Sequence, residues 1–538
     1  VSEKNIFPSN VLETKNNKEI DSCSLEIPEN SESSTTSTVV ETGVHGLHYG
    51  VTEVPPWNQA VFLAFQQTMI CISGILTAPY LVSEMACAGS STIALRVTLI
   101  SSTFVVTGFT TLLQTVIGLR LPILQGPSFA FFPPLYAYAN LPELKCNYTS
   151  NDEVPEEFYL GRVRTIQGSL ASASLLLLLI GSTGAIGAVS KLIGPVTIFP
   201  LLVLLCLGNF PYLISLVITY TVALILGFVD IIPKDSEARI DKKQSMSNLE
   251  ESPWFQVPYP GQFGMPGMSV GLFLGMLASC VACSVESLGA YGILAKICEE
   301  KPPSASTLSR AIVIEGLGCG LAGLMGIGVG ITTYSENVAA VSITRVASRF
   351  TMQLAGVILI GLGIFTKIGA VLATIPDPMV GGILCMGVCM ITGVAISNLE
   401  YVFLKSSRNL TIMGIAIILG MAIPDYFQEN PVKSNIDSLN QMLNILLTIR
   451  MFVGGVIAFI LDNLVTGVTR EQRGFRKSPN SIKLENIKNT QIDGYSFPEV
   501  VNRALLKLPY ISRLPFMPSV RSLKAAVSVQ SLIRQRGQ

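Results

Sequence analysis

Charge is what this sequence has least of. Of its 538 residues only 13% are charged, against 49% hydrophobic. Soluble domains carry about 25% charged residues, so much of this chain's surface faces lipid rather than water. Basic and acidic residues cancel at 36 each, and nothing in the balance suggests a nucleic-acid partner. Histidine is nearly absent: His45 and His48 both stand ahead of the first apolar run. That excludes a histidine-based relay inside a membrane. There is no Walker loop, so this chain is not expected to pump with ATP, and no catalytic residue set suggests an enzyme. The 11 cysteines include Cys71, Cys206, Cys280, Cys319 and Cys385, each single within an apolar run. They read as small packing residues, not as a disulfide framework or metal site. The chain opens on a polar segment, so no cleavable signal peptide is expected.

Long apolar segments are what the sequence has in quantity. Residues 1–59 form a Ser-, Thr-, Asn- and Glu-rich tail, expected to be disordered. Spans follow at 60–82, 92–118, 121–141, 167–187, 192–208, 211–229, 270–294, 308–330, 331–346, 351–375, 379–399, 409–427 and 442–465. Most reach the ~20 residues that cross a hydrocarbon core. The expectation is an all-α polytopic membrane protein with a membrane domain over 60–465 and a cytoplasmic tail over 466–538. Lys296, Lys301 and Arg310, then Arg345 and Arg349, then Lys405 and Arg408, then Arg470 to Lys477 mark cytoplasmic loops. The sequon at Asn147, after the third span, then lies outside as a glycosylation site. Three crossings from a cytoplasmic N-terminus give that result.

Two spans are interrupted. One carries Gln125-Gly126-Pro127-Ser128 before Phe129-Ala130-Phe131-Phe132. The other runs from Gly328 through Thr332, Thr333 and Tyr334 to Ser335, Glu336 and Asn337. Each reads as an extended stretch leading into a short helix. Broken helices at corresponding places in two halves point to a transporter's binding site, because half-helix N-termini leave N–H groups free. Two kinked ordinary helices are the plainer alternative. Glu286 lies deep in the span 270–294, and Glu336 lies where the second interrupted segment turns helical. An acid near the bilayer centre costs ~2.5–3.5 kcal/mol on insertion scales, so such residues normally face a cavity. Both are read as solute-binding, although a hydrogen bond between helices would also account for them. Glu315, near the start of its span, is read as a structural hydrogen-bonding group. Lys367 and Arg450 can snorkel to an interface. Together these features point to secondary transport of a small polar solute.

The same residues resemble the nucleobase–ascorbate transporter family, most closely its animal ascorbate-carrier branch, over roughly 55–480. The family signature reads here as Glu336-Asn337-Val338-Ala339, four residues, then Thr344-Arg345, with Ala339 for the usual Gly. Leu121 to Phe131 looks like the family's third segment, and Glu286-Ser287-Leu288-Gly289 like its eighth. Ser406 to Leu410, Met451 to Gly455 and Phe459 to Asn463 match the animal branch. The resemblance implies two inverted seven-helix repeats with two short strand–half-helix segments. A core domain (60–187 and 270–375) would carry solute past a gate domain (192–229 and 379–465) in an elevator step. It further implies a homodimer in the plasma membrane. Glu286, Glu336 and Asn337 would bind the solute, helped by backbone N–H groups from Ser128, Phe129, Ala130 and Phe131 and by Gln66.

Three departures from the family matter. Ascorbate carriers usually begin the signature with Pro, whereas Glu336 is the nucleobase-type residue. The solute is therefore expected to be ascorbate or a nucleobase. Ion-coupling positions that are usually His and Asp are Gln67 and Ala290, so sodium coupling is expected to be weak or absent, with sodium or a proton as the coupling ion. The first repeat also looks one helix short, with the gap between Asn209 and Pro211. Deleting a crossing would invert everything downstream and put the basic loops outside. That gap raises an alternative: an impaired or non-transporting subunit that dimerises with a full-length relative. An anion exchanger of related fold is a further alternative, disfavoured by the acidic site.

Overall fold

In lipid an apolar run can satisfy its own backbone only as a helix or in a closed barrel, and the long apolar runs among the described residues are helical. The structure, a computed structural model, describes residues 46–538 except 142–143, 149–151, 205–249, 374, 376–379, 381–387, 390, 394, 401, 436, 476–493, 508–509 and 537–538. The first part of the chain comprises α1 (Trp57–Ala86), α2 (Thr92–Val116), β1 (Gln125–Pro127), α3 (Phe132–Ala139) and α4 (Glu156–Ser182). Then come α5 (Val270–Ile297), α6 (Ala305–Leu324), β2 (Ile331–Thr333), α7 (Ser335–Thr344), α8 (Arg349–Ile364) and α9 (Thr366–Ala373). The last elements are α10 (Ser407–Glu429), α11 (Asp437–Thr448), α12 (Arg450–Leu464), α13 (Glu499–Lys507) and α14 (Val520–Arg536). Among the described residues six helices are long and apolar enough to cross a membrane, or up to eight if two bent pairs each count as one span. Those pairs are α8–α9, bent by 79°, and α11–α12, bent by 76°. The span expected at 211–229 lies outside the described residues, as does part of 379–399.

Both interrupted segments take the expected form. β1 and β2 pair antiparallel, with Gln125 opposite Thr333, Gly126 opposite Thr332 and Pro127 opposite Ile331. Ser128 N–H donates to Gly330 O at 3.0 Å and Tyr334 N–H to Leu124 O at 3.0 Å, extending the ladder at both ends. Gly126 has to be glycine, because a side chain there would run into the Tyr334 ring. Pro133 and Pro134 stand in the first turn of α3, where the missing N–H has no helical acceptor to lose.

Glycine-lined contacts set the direction of the helices. α4 and α6 pack antiparallel: Gly181 meets Val313, Gly316 meets Leu178 and Gly323 meets Ala171. Such small residues let membrane helices approach closely. α5 starts beside the first half of α4, with Gly267 N–H donating to Arg164 O at 2.9 Å. It ends next to the start of α6, so α4 and α5 run parallel. The inversion feared from a missing crossing therefore does not occur downstream. Arg120, Lys301, Arg310, Arg345 and Arg349 share one end of the molecule, tied by bonds such as Arg310 Nε to Gly118 O (2.7 Å) and Arg349 Nη2 to Gly494 O (2.7 Å).

The opposite end carries a disulfide between Cys87 and Cys146. This corrects the reading of cysteine as packing only: these two residues flank α1 and the sequon, in polar sequence. Disulfides persist in oxidising compartments. Its place beside exposed Asn147 agrees with the charge pattern about which end is outside.

The 466–538 tail is also more than a solvated extension. Tyr495 and Phe497 are buried on the basic end. Tyr495 O–H donates to Lys301 O at 2.6 Å, and the Arg310 and Arg120 guanidinium groups lie 4.6 and 5.2 Å from the Phe497 ring centroid. Burial, then the charges of Arg349 and Arg310, lower the Arg120 pKa to about 9, so it stays charged at neutral pH. At the same end of the α10–α12 pair, Asp462 is buried between Arg408 (2.6 Å) and Arg473 (2.7 Å).

Candidate functional site

Around the β1–β2 pair the chain buries polar groups that apolar helices have no need of. α5 packs against β2, α7 and the turn at 129–131, while α1 packs against β1 and α7. This brings Glu286 of α5 together with the first turn of α7. Glu286 is 6% exposed, Glu336 2% and Asn337 1%. Glu336 and Asn337 open α7, where a helix N-terminus favours an acidic side chain.

Three side-chain atoms of that turn have no hydrogen-bond partner: Ser335 Oγ, Glu336 Oε1 and Asn337 Oδ1. Leaving a buried acceptor unsatisfied costs about 1–3 kcal/mol, more for a charged group. The Glu336 and Asn337 oxygens accept, so a group completing them has to supply N–H or O–H donors, while the Ser335 hydroxyl can donate or accept. The amide nitrogen of Asn337 is occupied: it donates to Gln67 Oε1 at 2.6 Å and to Gln67 O at 3.0 Å. Asn337 is thus held by α1 with its oxygen left over. Gln66, the residue expected to support the pocket, is half-buried, whereas Gln67 is buried. Ala290 is buried on α5 and offers an ion no side-chain ligand.

Opposite α7, Ser128 caps the turn at 129–131, its Oγ accepting from Ala130 N–H at 3.2 Å and lying 3.1 Å from Cys283 Sγ. Phe131 N–H donates to Ser128 O at 3.3 Å, and Ser128 N–H is spent on Gly330. Three of the four N–H groups expected to face a solute are therefore engaged within the protein, and the expectation narrows to Phe129. Ser279 Oγ donates to Ala130 O at 2.7 Å and ties the turn to α5. Phe129 and Phe132 pack edge to face at 5.4 Å.

Glu315 stands behind this layer on α6. Its Oε1 accepts from Ser287 Oγ (2.6 Å), Tyr291 O–H (2.6 Å) and Thr333 Oγ1 (2.8 Å). It is the hydrogen-bonding group that its place in the sequence suggested. Tyr291 and Gln114, which completes the set, were not singled out in the sequence. Their only signal there is a lone polar group inside an apolar span. A groove of about 550 Å³ lined by His48, Tyr49, Asn58, Gln59, Phe62 and Leu63 lies at the basic end, away from these carboxylates.

Comparison with known proteins bears on the family of the chain. Residues 58–210 and 207–429 match the model of a family described as a permease family, and the two pieces meet where the sequence reading placed the gap. The chain is 34% identical to solute carrier family 23 member 2 of Rattus norvegicus over 88% of this chain and 82% of that protein. It is 30% identical to nucleobase-ascorbate transporter 1 of Arabidopsis thaliana, over 85% of this chain and 96% of that one. Among solved structures, the transmembrane domain of a cyanobacterium bicarbonate transporter, BicA, aligns with a TM-score of 0.34 and 14% identity over 77% of this chain and 99% of that one.

Proposed function

The chain belongs to this permease family and is a multi-pass membrane transporter; from that premise we propose that it is a secondary-active carrier binding a nucleobase or ascorbate between Glu286 and the first turn of α7. The observation that carries the reading is the pair of orphaned acceptors, Glu336 Oε1 and Asn337 Oδ1. A nucleobase answers them with ring N–H donors at no cost in charge. Ascorbate answers them with hydroxyls but brings an anion towards two acids. Two buried acids favour the neutral nucleobase over an anion, while the relative named solute carrier family 23 member 2 keeps the ascorbate branch in play. An inorganic anion brings its charge towards two buried acids, which disfavours the anion-exchanger alternative.

The proposal extends to how the solute moves, and the place of the two broken segments supports it. β1 and β2, one from each half of the chain, meet as a single unit with α5, and that unit moves past the gate helices in an elevator step within a homodimer. Sodium coupling is weak in this reading, because Ala290 supplies no ligand and Gln67 is committed to Asn337. The second reading, an impaired subunit that pairs with a full-length relative, is favoured by one observation: the family match breaks at 207–210.

Competition uptake with labelled ascorbate and labelled xanthine or uracil, with and without sodium, tests the proposal. Saturable uptake of one class with little sodium dependence is expected. No uptake of either class at normal surface expression, with dominant loss of a co-expressed relative's uptake, would move the assignment to the subunit reading.

A further inference from the structure

Counting protons in the network behind the site gives it a direction. Ser287 spends its one hydroxyl hydrogen on Glu315 Oε1, so the 2.9 Å bond between Ser287 and Thr332 is donated by Thr332. Tyr291 likewise donates to Glu315 and accepts from Gln114 Nε2 at 2.9 Å. Thr333 donates to Glu315 and accepts from Gln125 Nε2 at 3.4 Å. Three donor chains thus run inward from α2, α5, β1 and β2, and all end on one oxygen of α6. No other single atom in the described site joins so many elements. Ser287 directly follows Glu286, and Thr333 stands three residues before Glu336.

We propose that Glu315 is a positioning residue for solute binding: as the common acceptor it fixes α5 against β2 and thereby aims Glu286 at the first turn of α7. The inference rests on the transport reading above, since it assigns Glu315 a part in that site. Glu315 touches no solute. Its effect passes through Ser287 to Glu286 and through Thr333 to Glu336 and Asn337.

The test compares Glu315→Gln, which keeps an acceptor oxygen, with Glu315→Leu, which keeps the bulk and removes it. Uptake of labelled xanthine and labelled ascorbate is measured per transporter at the cell surface. Glu315→Leu is expected to raise KM by about tenfold or more, the scale of losing one hydrogen bond to a charged group, with maximal rate little changed. Glu315→Gln is expected to stay within about threefold of the parent, as its amide oxygen still accepts. Equal KM for parent and Leu variant, or equal damage in Gln and Leu, overturns the inference. If the Leu variant fails to reach the membrane, Tyr291→Phe removes a single donor; a KM raised by about threefold supports the role, and an unchanged KM refutes it. Hydrogen exchange of the purified protein gives a readout free of solute. Amides of 334–337 should exchange faster in Glu315→Leu than in the parent and Glu315→Gln, and equal exchange in all three overturns the inference. Absent uptake by the parent, with that exchange ranking intact, counts against the transport reading and leaves the role of Glu315 standing.

Discussion

Asn337 is placed by a residue whose neighbour looked the better candidate. Helical geometry points Gln66 and Gln67 about 100° apart, so only one of them can face α7. Gln67 is the one that does, taking both hydrogens of the Asn337 amide. Gln67→Ala should remove the side-chain half of that tie, leaving the bond to the main-chain carbonyl, and raise solute KM by about five- to tenfold, the scale of one buried hydrogen bond. Gln66→Ala should change it by less than about twofold, as expected of a side chain away from such features. KM values from uptake kinetics check this, and the reverse order would show that the first span engages the site through the other glutamine. The buried acids were legible for a similar reason in reverse. A charge deep in an apolar run has few explanations, and Glu286, Glu315 and Glu336 are all buried. Tyr291 and Gln114 were not legible, because a tyrosine or glutamine in a membrane span is too ordinary to stand out.

At the scale of elements, the interrupted segments were readable from Gly126, Pro127 and the Gly328–Asn337 stretch. Glycine, proline and hydroxyl residues there remove the periodic apolar face of a full helix. Their mutual pairing was not readable, since no local pattern records which strand meets which across some 200 residues of chain. The bends at Phe365 and Ile449 escaped for want of a proline or glycine at the break. The α10–α12 pair shows a different logic. Arg408 begins α10, Asp462 ends α12 and Arg473 follows it, so one buried carboxylate closes one end of the pair. Removing one partner of a buried ion pair typically costs about 3–5 kcal/mol, because the charges left behind stay desolvated. Asp462→Ala should therefore lower the unfolding temperature of the purified protein and its yield, more than Asp425→Ala, whose pair with Arg450 is exposed. Equal losses from the two would show that the Asp462 pair does not hold α10 and α12 together.

Across the whole molecule, sidedness is recorded twice. Basic residues gather at one end, and the Cys87–Cys146 disulfide sits at the other with Asn147. The charge pattern made the first legible. The disulfide was missed because its cysteines are 59 residues apart and lie outside the apolar runs. The docked tail was missed because two aromatic residues, Tyr495 and Phe497, bury themselves within an otherwise polar stretch. The central claim of the proposal is a buried layer between helices that offers a solute two unsatisfied acceptors, Glu336 Oε1 and Asn337 Oδ1, and a second acid, Glu286. Direct binding of labelled xanthine, uracil and ascorbate to purified protein tests that claim most directly, with parent, Glu286→Gln and Glu336→Gln side by side. The account predicts saturable binding of one class by the parent and its loss by at least about tenfold in both variants, the scale of a hydrogen bond to a charged group. Binding of that solute with unchanged affinity in either variant would contradict it.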